Sequence, residues 1–538
     1  MASDQQRFVD WLAARLSRAG TARAFGVPGG GGSLDLVAAL RQHGIDTLVT
    51  AREDAAVIMA GVSGLLAQAP GLAFTTKGPG LASASNGLAA AALDRLPALL
   101  IAEAFDDDEL GYLSHQVYDQ AALVAPLLGA GDADLLPAET AALDAWIAQG
   151  VLMPCRPAVL LPSSAAIVRL VDVPADALPP EPTPPSARTL ETAQSLLASS
   201  RRPAVVVGLE AARPEVSGPL RDFVARLGAP ALSTYMAKGC IADTAPGFAG
   251  IFTGGAIEQA CLRQADLIIL VGLDPVEMIR KPWSYEAPVL DLCAAVHDPH
   301  YLVPQGRVVG PLAGILGLLA GDLDGSDWQA AEIAGHRQYF LDGMAAGGDG
   351  GLSSAAIVKA AAAAFGAGPR LTVDAGAHMF SACAFWPCAE PLDLLISNGL
   401  ASMGFALPAG LAAALHEPAR GAVVMTGDGG LLMCLGELKT AAEANANVCV
   451  MVFNDGRLSL IDIKRQERQF PDIGMSWRQP DFAAVARGFG FEAWRIDDAG
   501  ELAPALAAAA AGRGPRLIDL RVDPGGYNDQ IKALRGSA

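Results

Sequence analysis

The chain has no C-x-x-C pair among its eight cysteines, no uninterrupted apolar run of membrane-spanning length, and a shortage of positive charge. Each absence removes a class of function. Cys155, Cys240, Cys261, Cys293, Cys383, Cys388, Cys434 and Cys449 are scattered and lack a histidine at metal-ligand spacing. Reduced, mostly buried thiols are therefore expected rather than a zinc site or a disulfide frame. Without a run of about 20 apolar residues, no transmembrane helix is expected. Lysine plus arginine is 38 and aspartate plus glutamate 57, so the formal charge is −19. A field of that sign repels phosphate backbones and anionic lipid, so neither nucleic acid nor membrane is expected as a partner. An anionic small ligand would need local help from a metal, backbone N–H groups or a helix N-terminus. The first residues place Asp4 and Asp10 in an amphipathic pattern unlike a secretory leader, and a cytoplasmic location is the expectation.

What is present is ample apolar material. Hydrophobic residues make up 52% of 538, charged residues 18%, and mean hydropathy is +0.33. That length allows about three to four domains. Clustered prolines from Val171 to Ser186 forbid helix interiors and read as a linker. A glycine-rich stretch, Gly343 to Gly351, reads as a second break. The expected domains are 1–182, 183–342 and 343–538. All three pieces alternate short apolar runs with Ala/Leu-rich amphipathic segments. The runs include Asp46–Thr50, Ala98–Ala102, Ala204–Gly208, Asp266–Gly272, Ala422–Thr426 and Val448–Phe453. Fully apolar strands suit a parallel sheet covered on both faces. The expected fold class is α/β, with three doubly wound parallel-sheet domains. Ligands in such sheets sit beyond the carboxyl ends of the strands.

One loop in that position is Gly427-Asp428-Gly429-Gly430, followed by a long Leu/Ala-rich segment from Leu431 to Ala446. Glycines let backbone approach an anion, and the next helix offers unpaired N–H groups. A carboxylate there makes sense if it holds a hard cation that neutralises a phosphate, as Mg²⁺ usually does. A second oxygen-rich loop, Asn454-Asp455-Gly456-Arg457, ends the next apolar strand. The 24 residues 430–453 between the loops make one helix plus one strand, which puts both loops at one end of adjacent parallel strands. Asp428, Asp455 and a backbone carbonyl near Arg457 could then share one ion. Either loop alone is ordinary turn chemistry; the pair at this spacing is far more specific.

Gly-Asp-Gly, then about 25 residues, then Asn-Asn or Asn-Asp resembles the fingerprint of thiamine-diphosphate-dependent enzymes. Ser397 to Pro408, containing Gly399-Leu400-Ala401-Ser402-Met403-Gly404, is similar to the G-L-G-T-M-G-x-x-L-P segment of acetohydroxyacid synthases and related enzymes. Asp374-Ala375-Gly376-Ala377-His378 is similar to their D-x-G-x-H loop. Near the other end, Phe25 to Gly30 resembles an F-G-x-P-G-G entry loop that includes Gly29 and Gly30. Glu53 to Ala60 resembles H-E-x-x-A-x-x-M-A with Arg52 for histidine. Lys77-Gly78-Pro79-Gly80, Asn86-Gly87 and Ser114-His115-Gln116 follow in the family's order. Taken alone, Glu53 reads as an idle acid at a helix start.

The resemblance implies thiamine diphosphate and Mg²⁺, with Asp428, Asp455 and the Arg457 backbone at the metal. It implies Gly427, Gly429, Gly430, Ala377 and His378 near the diphosphate, and Ala401 and Met403 at the pyrimidine, with Met403 under the cofactor's bend. Asn86, Gly29 and Gly30 complete the cofactor site, and Ile461 lines an apolar wall. Glu53 would bond the aminopyrimidine ring nitrogen, and Gln116 and His115 would stand near the reacting carbonyl. The family leaves room for FAD in the central domain, but no G-x-G-x-x-G calls for it here. The implied substrate is a 2-oxo acid, with an aldehyde or second 2-oxo acid as acceptor. The implied assembly is a homodimer or homotetramer with active sites between subunits. Glu53 disfavours the glutamate-free glyoxylate carboligase pattern. Ile461 replaces the glutamate of pyruvate decarboxylases, and Lys464 replaces the tryptophan with which acetohydroxyacid synthases select their second substrate. The reading is a decarboxylase/carboligase similar to acetolactate synthase. The alternative is a nonoxidative decarboxylase of benzoylformate or substituted-pyruvate type. A dinucleotide loop at Gly26–Gly32 is interrupted by Pro28, and intact Glu53 and Asp428 argue against a non-catalytic paralogue.

Overall fold

A computed structural model describes residues 5–128, 135–179, 181, 183–278, 283–297, 302–323, 325–345 and 351–536. It contains three six-stranded sheets and one two-stranded ribbon. The first sheet orders its strands Asp46–Val49, Arg23–Val27, Gly71–Thr75, Ala98–Ala102, Ala158–Leu160 and Leu135–Leu136. All its pairings are parallel. The third sheet runs Leu394–Ile396, Arg370–Val373, Ala422–Gly427, Val448–Asn454, Arg516–Arg521 and Glu492–Ile496. Numbered along the chain, both have the order 2-1-3-4-6-5. The central sheet runs Phe248–Ile251, Ala231–Ser233, Pro203–Val207, Leu267–Val271, Val289–Cys293 and Gly306–Val309, the order 3-2-1-4-5-6 of dinucleotide folds. The α/β expectation thus holds in all three sheets, which share one sequence texture but two topologies.

The chain groups into two compact units. One comprises 1–181, 399–421 and 432–448; the other comprises 182–398, 422–431 and 449–538. In the first, Phe8, Trp11, Leu12, Leu72, Phe74, Leu99 and Ile101 form one buried cluster around the N-terminal sheet. In the second, Ile357, Val373, Phe380, Trp386, Met425, Met451 and Phe453 belong to another. The expected apolar strands are fully buried at Ala98–Ala102, Pro203–Val207, Leu267–Val271 and Val448–Asn454. All eight cysteines are buried thiols outside any disulfide. No described helix is long and apolar enough to cross a membrane.

Three details depart from the sequence reading. The Pro-rich stretch begins inside a strand, because Leu170–Asp172 pairs antiparallel with Gln5–Arg7; residues 180 and 182 of that stretch lie outside the described residues. Of the glycine-rich break, Gly343 and Met344 end the helix Ala330–Met344, and 346–350 lie outside the described residues. The segment expected as one helix over Leu431–Ala446 is two, Asp428–Cys434 and Glu437–Glu443. Gly436 stands between them, and a Cβ there would lie 2.8 Å from that of Ala51.

The helix Glu53–Ala67 is set by close glycine contacts. Gly64 meets the backbone of Ala69 and Gly71, where a Cβ would come within 2.6–2.7 Å. Gly87, on the helix Pro79–Leu93, meets its first turn: a Cβ would lie 2.4 Å from the Asp54 carbonyl oxygen and 2.8 Å from Val57. Gly87→Ala should therefore force the two helices apart. A loss of about 1–3 kcal/mol is expected from such overpacking, measurable as a lower urea midpoint at unchanged slope.

Candidate active site

The first compact unit holds the residues expected at the pyrimidine end. Arg23–Val27 and Gly71–Thr75 are adjacent strands at the point where strand order reverses, and both lead into expected site loops. Beyond the first, a Cβ on Gly29 would lie 2.2 Å from Thr76 Oγ1, so that position has no room for a side chain. Gly29 also donates its N–H to Ser33 Oγ at 2.8 Å. Gly30 faces open space. Beyond the second, Gly78 has φ +65° and abuts Gln116, itself at φ +63°. Gln116 and His115 are exposed. A glutamine held left-handed without a glycine's freedom costs energy, a feature that clusters at functional sites. Ala401 has φ +56° in the other expected pyrimidine segment. Asn86 exchanges hydrogen bonds with Ser402 at 3.1 and 3.2 Å, which brings the Ala401–Met403 segment onto the helix carrying Asn86.

Glu53 opens its helix, half-buried, and its carboxylate makes no hydrogen bond or ion pair among the described residues. The turn before it is braced by a residue that sequence reading missed. Glu437 is fully buried and accepts the N–H groups of Ala51 (3.1 Å) and Arg52 (3.0 Å), together with the Thr440 hydroxyl (2.7 Å). Burial raises its carboxyl above the ordinary range. Within the helix Asp54 Oδ1 accepts the Ala55 N–H at 2.9 Å, while Glu437, 386 residues from Ala51 along the chain, holds the turn that leads into it.

The second compact unit holds the expected diphosphate and metal residues. Arg370–Val373 and Ala422–Gly427 flank the reversal point of their sheet, and Asp374 to His378 follows one as Asp428 follows the other. Asp428 is the first residue of its helix rather than a loop residue. Its Oδ1 accepts the Gly429 N–H at 2.9 Å. Its Oδ2 accepts the Gly456 N–H at 3.0 Å and the Trp477 indole N–H at 3.1 Å. Burial, then the charge of Asp455, pushes the Asp428 carboxyl up to about 7. Asp455 is also raised by burial, and bonds the Ser459 hydroxyl and the Arg457 N–H. Two neighbouring carboxylates that burial drives toward protonation, Asp428 further under the charge of Asp455, are a donor set suited to a hard cation.

The anion side fits as well. A Cβ on Gly430 would lie 2.3 Å from Asp374 Oδ2 and 2.8 Å from Thr426 Oγ1, which are themselves hydrogen-bonded at 2.5 Å. Only glycine lets the backbone sit there. His378 is buried and stacked on Phe453, with centroids 5.1 Å apart, and burial lowers it to about 4. Its buried Nε2 has no hydrogen-bond partner among the described residues and could bond an added group. Ala377, just before it, is buried, and Gly427 is partly buried, where a Cβ would lie 3.6 Å from the imidazole. Ile461 is 50% exposed on the helix Ser459–Glu467. Lys464 on that helix pairs with Glu467 at 2.6 Å. Trp477 carries no motif and was missed by sequence reading. So was a buried group in the central sheet, where His297 Nε2 lies 2.8 Å from Glu210 and 3.7 Å from Asp274, a set that could hold a metal ion.

Comparison with known proteins agrees on all three sheets. Residues 6–123 match the model of the thiamine pyrophosphate enzyme N-terminal TPP binding domain. Residues 190–289 match the central domain and 374–520 the C-terminal TPP binding domain. An acetolactate synthase of Bacillus subtilis is 26% identical over 95% of this chain and 92% of its own length. A catabolic acetolactate synthase of Raoultella terrigena is 29% identical over 96% and 94%. A probable 2-ketoarginine decarboxylase of Pseudomonas aeruginosa is 28% identical over 94% and 92%.

The raised Asp428 carboxyl has a pH consequence. Below about 7 the acid is mostly protonated and a cation must displace that proton; above it no proton need leave. Divalent-cation affinity should therefore climb as pH rises to about 7 and then level off, with proton release confined to the lower limb. Calorimetry in buffers of different ionisation heat checks this, and cation binding indifferent to pH across that window would contradict it.

Proposed function

Because the chain belongs to the thiamine pyrophosphate enzyme family, we propose that it is a thiamine-diphosphate- and Mg²⁺-dependent decarboxylase/carboligase of 2-oxo acids, similar to acetolactate synthase. The observation that carries the cofactor assignment is Asp428, buried at the head of a helix beside Asp455 and raised toward neutrality for want of a counter-charge. In this reading Asp428, Asp455 and the Arg457 carbonyl hold Mg²⁺, while Gly427, Gly429, Gly430, Ala377 and His378 meet the diphosphate. Ala401 and Met403 hold the pyrimidine, with Asn86, Gly29 and Gly30 around it. When bound, thiamine diphosphate supplies a carbon nucleophile and an electron sink for the bond broken when CO₂ leaves. Glu53 holds a proton at the aminopyrimidine ring nitrogen through a charge-assisted bond, and the Glu437 brace fixes where that carboxylate stands. Gln116 and His115 orient the reacting carbonyl, and Ile461 excludes water from one wall.

The reading carries domains at 1–182, 183–342 and 343–538, a cytoplasmic location, and active sites between the subunits of a homodimer or homotetramer. Exposed apolar side chains support such a contact: Leu432 and Met433, soon after Asp428, are 45% and 56% exposed. A second reading, nonoxidative decarboxylation, is favoured by the decarboxylase relative and by Lys464 standing where acetohydroxyacid synthases carry a selecting tryptophan.

A panel of 2-oxo acids with thiamine diphosphate and Mg²⁺, assayed for CO₂, acyloin and aldehyde, separates the two. Acyloin supports the carboligase, aldehyde alone supports the decarboxylase, and no turnover of any acid counts against both. Glu53→Gln should retain the cofactor but slow C2 proton exchange by about 10²- to 10⁴-fold. Exchange at the wild-type rate would remove Glu53 from its role.

A further inference from the structure

We propose that Trp477 is a positioning residue for the metal ligand Asp428, an inference that rests on the cofactor reading above. Its indole Nε1–H donates to Asp428 Oδ2 at 3.1 Å, and that oxygen also takes the Gly456 N–H at 3.0 Å. With Gly429 on Oδ1, three N–H donors fix the plane of the carboxylate. Two of these are backbone groups of the Gly-Asp-Gly and Asn-Asp-Gly loops; the third comes from a side chain 49 residues away.

The indole is held there by backbone. After the helix Ser459–Glu467, residues 468–474 are exposed and the chain then returns to the metal loop. Leu458 N–H bonds the Met475 carbonyl at 2.9 Å, Trp477 N–H bonds the Gly456 carbonyl at 2.8 Å, and Arg457 and Ser476 form an antiparallel bridge. Gln479 Nε2 donates to the Asn454 carbonyl at 2.7 Å, and Asn454 Nδ2 to the Pro480 carbonyl at 3.1 Å. Residues 475–480 are thus strapped along 454–458, the stretch that contains Asp455 and Arg457. Gly456 permits this: its φ is +73°, and a Cβ would lie 2.8 Å from the Trp477 carbonyl oxygen.

A neutral donor suits this place. It satisfies a carboxylate lone pair and fixes the rotamer without supplying a charge that would compete with a cation. Partners of this kind orient metal ligands, and their loss typically weakens metal affinity about 10- to 100-fold. Trp477→Phe keeps the ring and removes the N–H.

The test is Mn²⁺ binding by electron paramagnetic resonance, with thiamine diphosphate present, on wild type, Asp428→Ala and Trp477→Phe. The expected result is loss of binding in Asp428→Ala and about 10- to 100-fold weaker binding in Trp477→Phe. Turnover of Trp477→Phe should return to near the wild-type kcat once Mg²⁺ saturates, because Asp428 itself remains; a merely structural lesion would lower kcat irrecoverably. Trp477→Leu, whose side chain has no donor, serves if the phenylalanine variant fails to fold. Wild-type Mn²⁺ affinity in the Trp477 variants, with Asp428→Ala defective, overturns this inference alone. Wild-type affinity in Asp428→Ala overturns the metal assignment and this inference with it.

Discussion

Asp428, buried, and Asp455, half-buried, stand at the carboxyl ends of neighbouring parallel strands, and much of the surrounding chain follows from that constraint. A buried carboxylate is costly unless donors or a cation surround it. Here donors come first: Gly429, Gly456 and Trp477 on Asp428, Ser459 and Arg457 on Asp455. Those donors dictate glycine at Gly456, where the returning segment passes too close for a side chain, and Gly430 is dictated in turn by Asp374 beneath it. Neutral N–H groups do not offset the burial of the two acids, nor the charge of Asp455 on Asp428, so both carboxyls remain raised. A site that is structurally satisfied but electrostatically unfinished is what a reversible cation needs, since full neutralisation by a lysine or arginine would leave it nothing to do.

Topology explains why the chemistry gathers where it does. In the first and third sheets the chain starts at an inner strand, adds one neighbour on one side, then returns to the other side. The two strands at the reversal send their loops in divergent directions and open a crevice at their carboxyl ends. In the N-terminal sheet those loops are the entry loop with Gly29 and the Lys77-Gly78 turn against Gln116. In the C-terminal sheet they are Asp374–His378 and Gly427–Gly430. The same strand order is thus used twice, once to present strained backbone and neutral polar groups, once to present glycines, a histidine and paired acids.

Much of this was legible in the sequence because its causes are local. Apolar strands announce themselves by composition, and a loop's place after a strand follows from chain order. The helix-plus-strand interval between Asp428 and Asp455 could be counted. Glu437 and Trp477 left no such trace. Each acts through space on a residue far away in sequence: Glu437 on backbone N–H groups, which carry no residue identity, and Trp477 on one carboxylate oxygen. The broken helix at Gly436 belongs to the same class. Leu431–Ala446 is Leu/Ala-rich with a single glycine, and the approach of Ala51, which leaves no room for a side chain at Gly436, shows only in three dimensions.

The central sheet shows how far topology reaches and where side chains take over. Its strand order is that of dinucleotide folds, and its reversal lies between Pro203–Val207 and Leu267–Val271. Strand order alone would predict a phosphate-binding crevice there. The loops instead bring Glu210, Asp274 and Glu277 into it, all buried. Glu277 comes within 2.7 Å of a Cβ placed on Gly208, and burial raises its carboxyl to about 8. Its oxygens accept the Leu209 N–H at 2.9 Å and the Thr234 hydroxyl at 2.5 Å, so a backbone N–H at the loop's start already faces an internal acid. His297 then bridges toward the other two. The crevice therefore answers its own loop N–H groups with carboxyls from within the chain, where the C-terminal sheet presents glycines and an imidazole nitrogen that has no hydrogen-bond partner among the described residues. Doubly wound order locates a crevice; whether the lining supplies or withholds the counter-charge determines what it can receive.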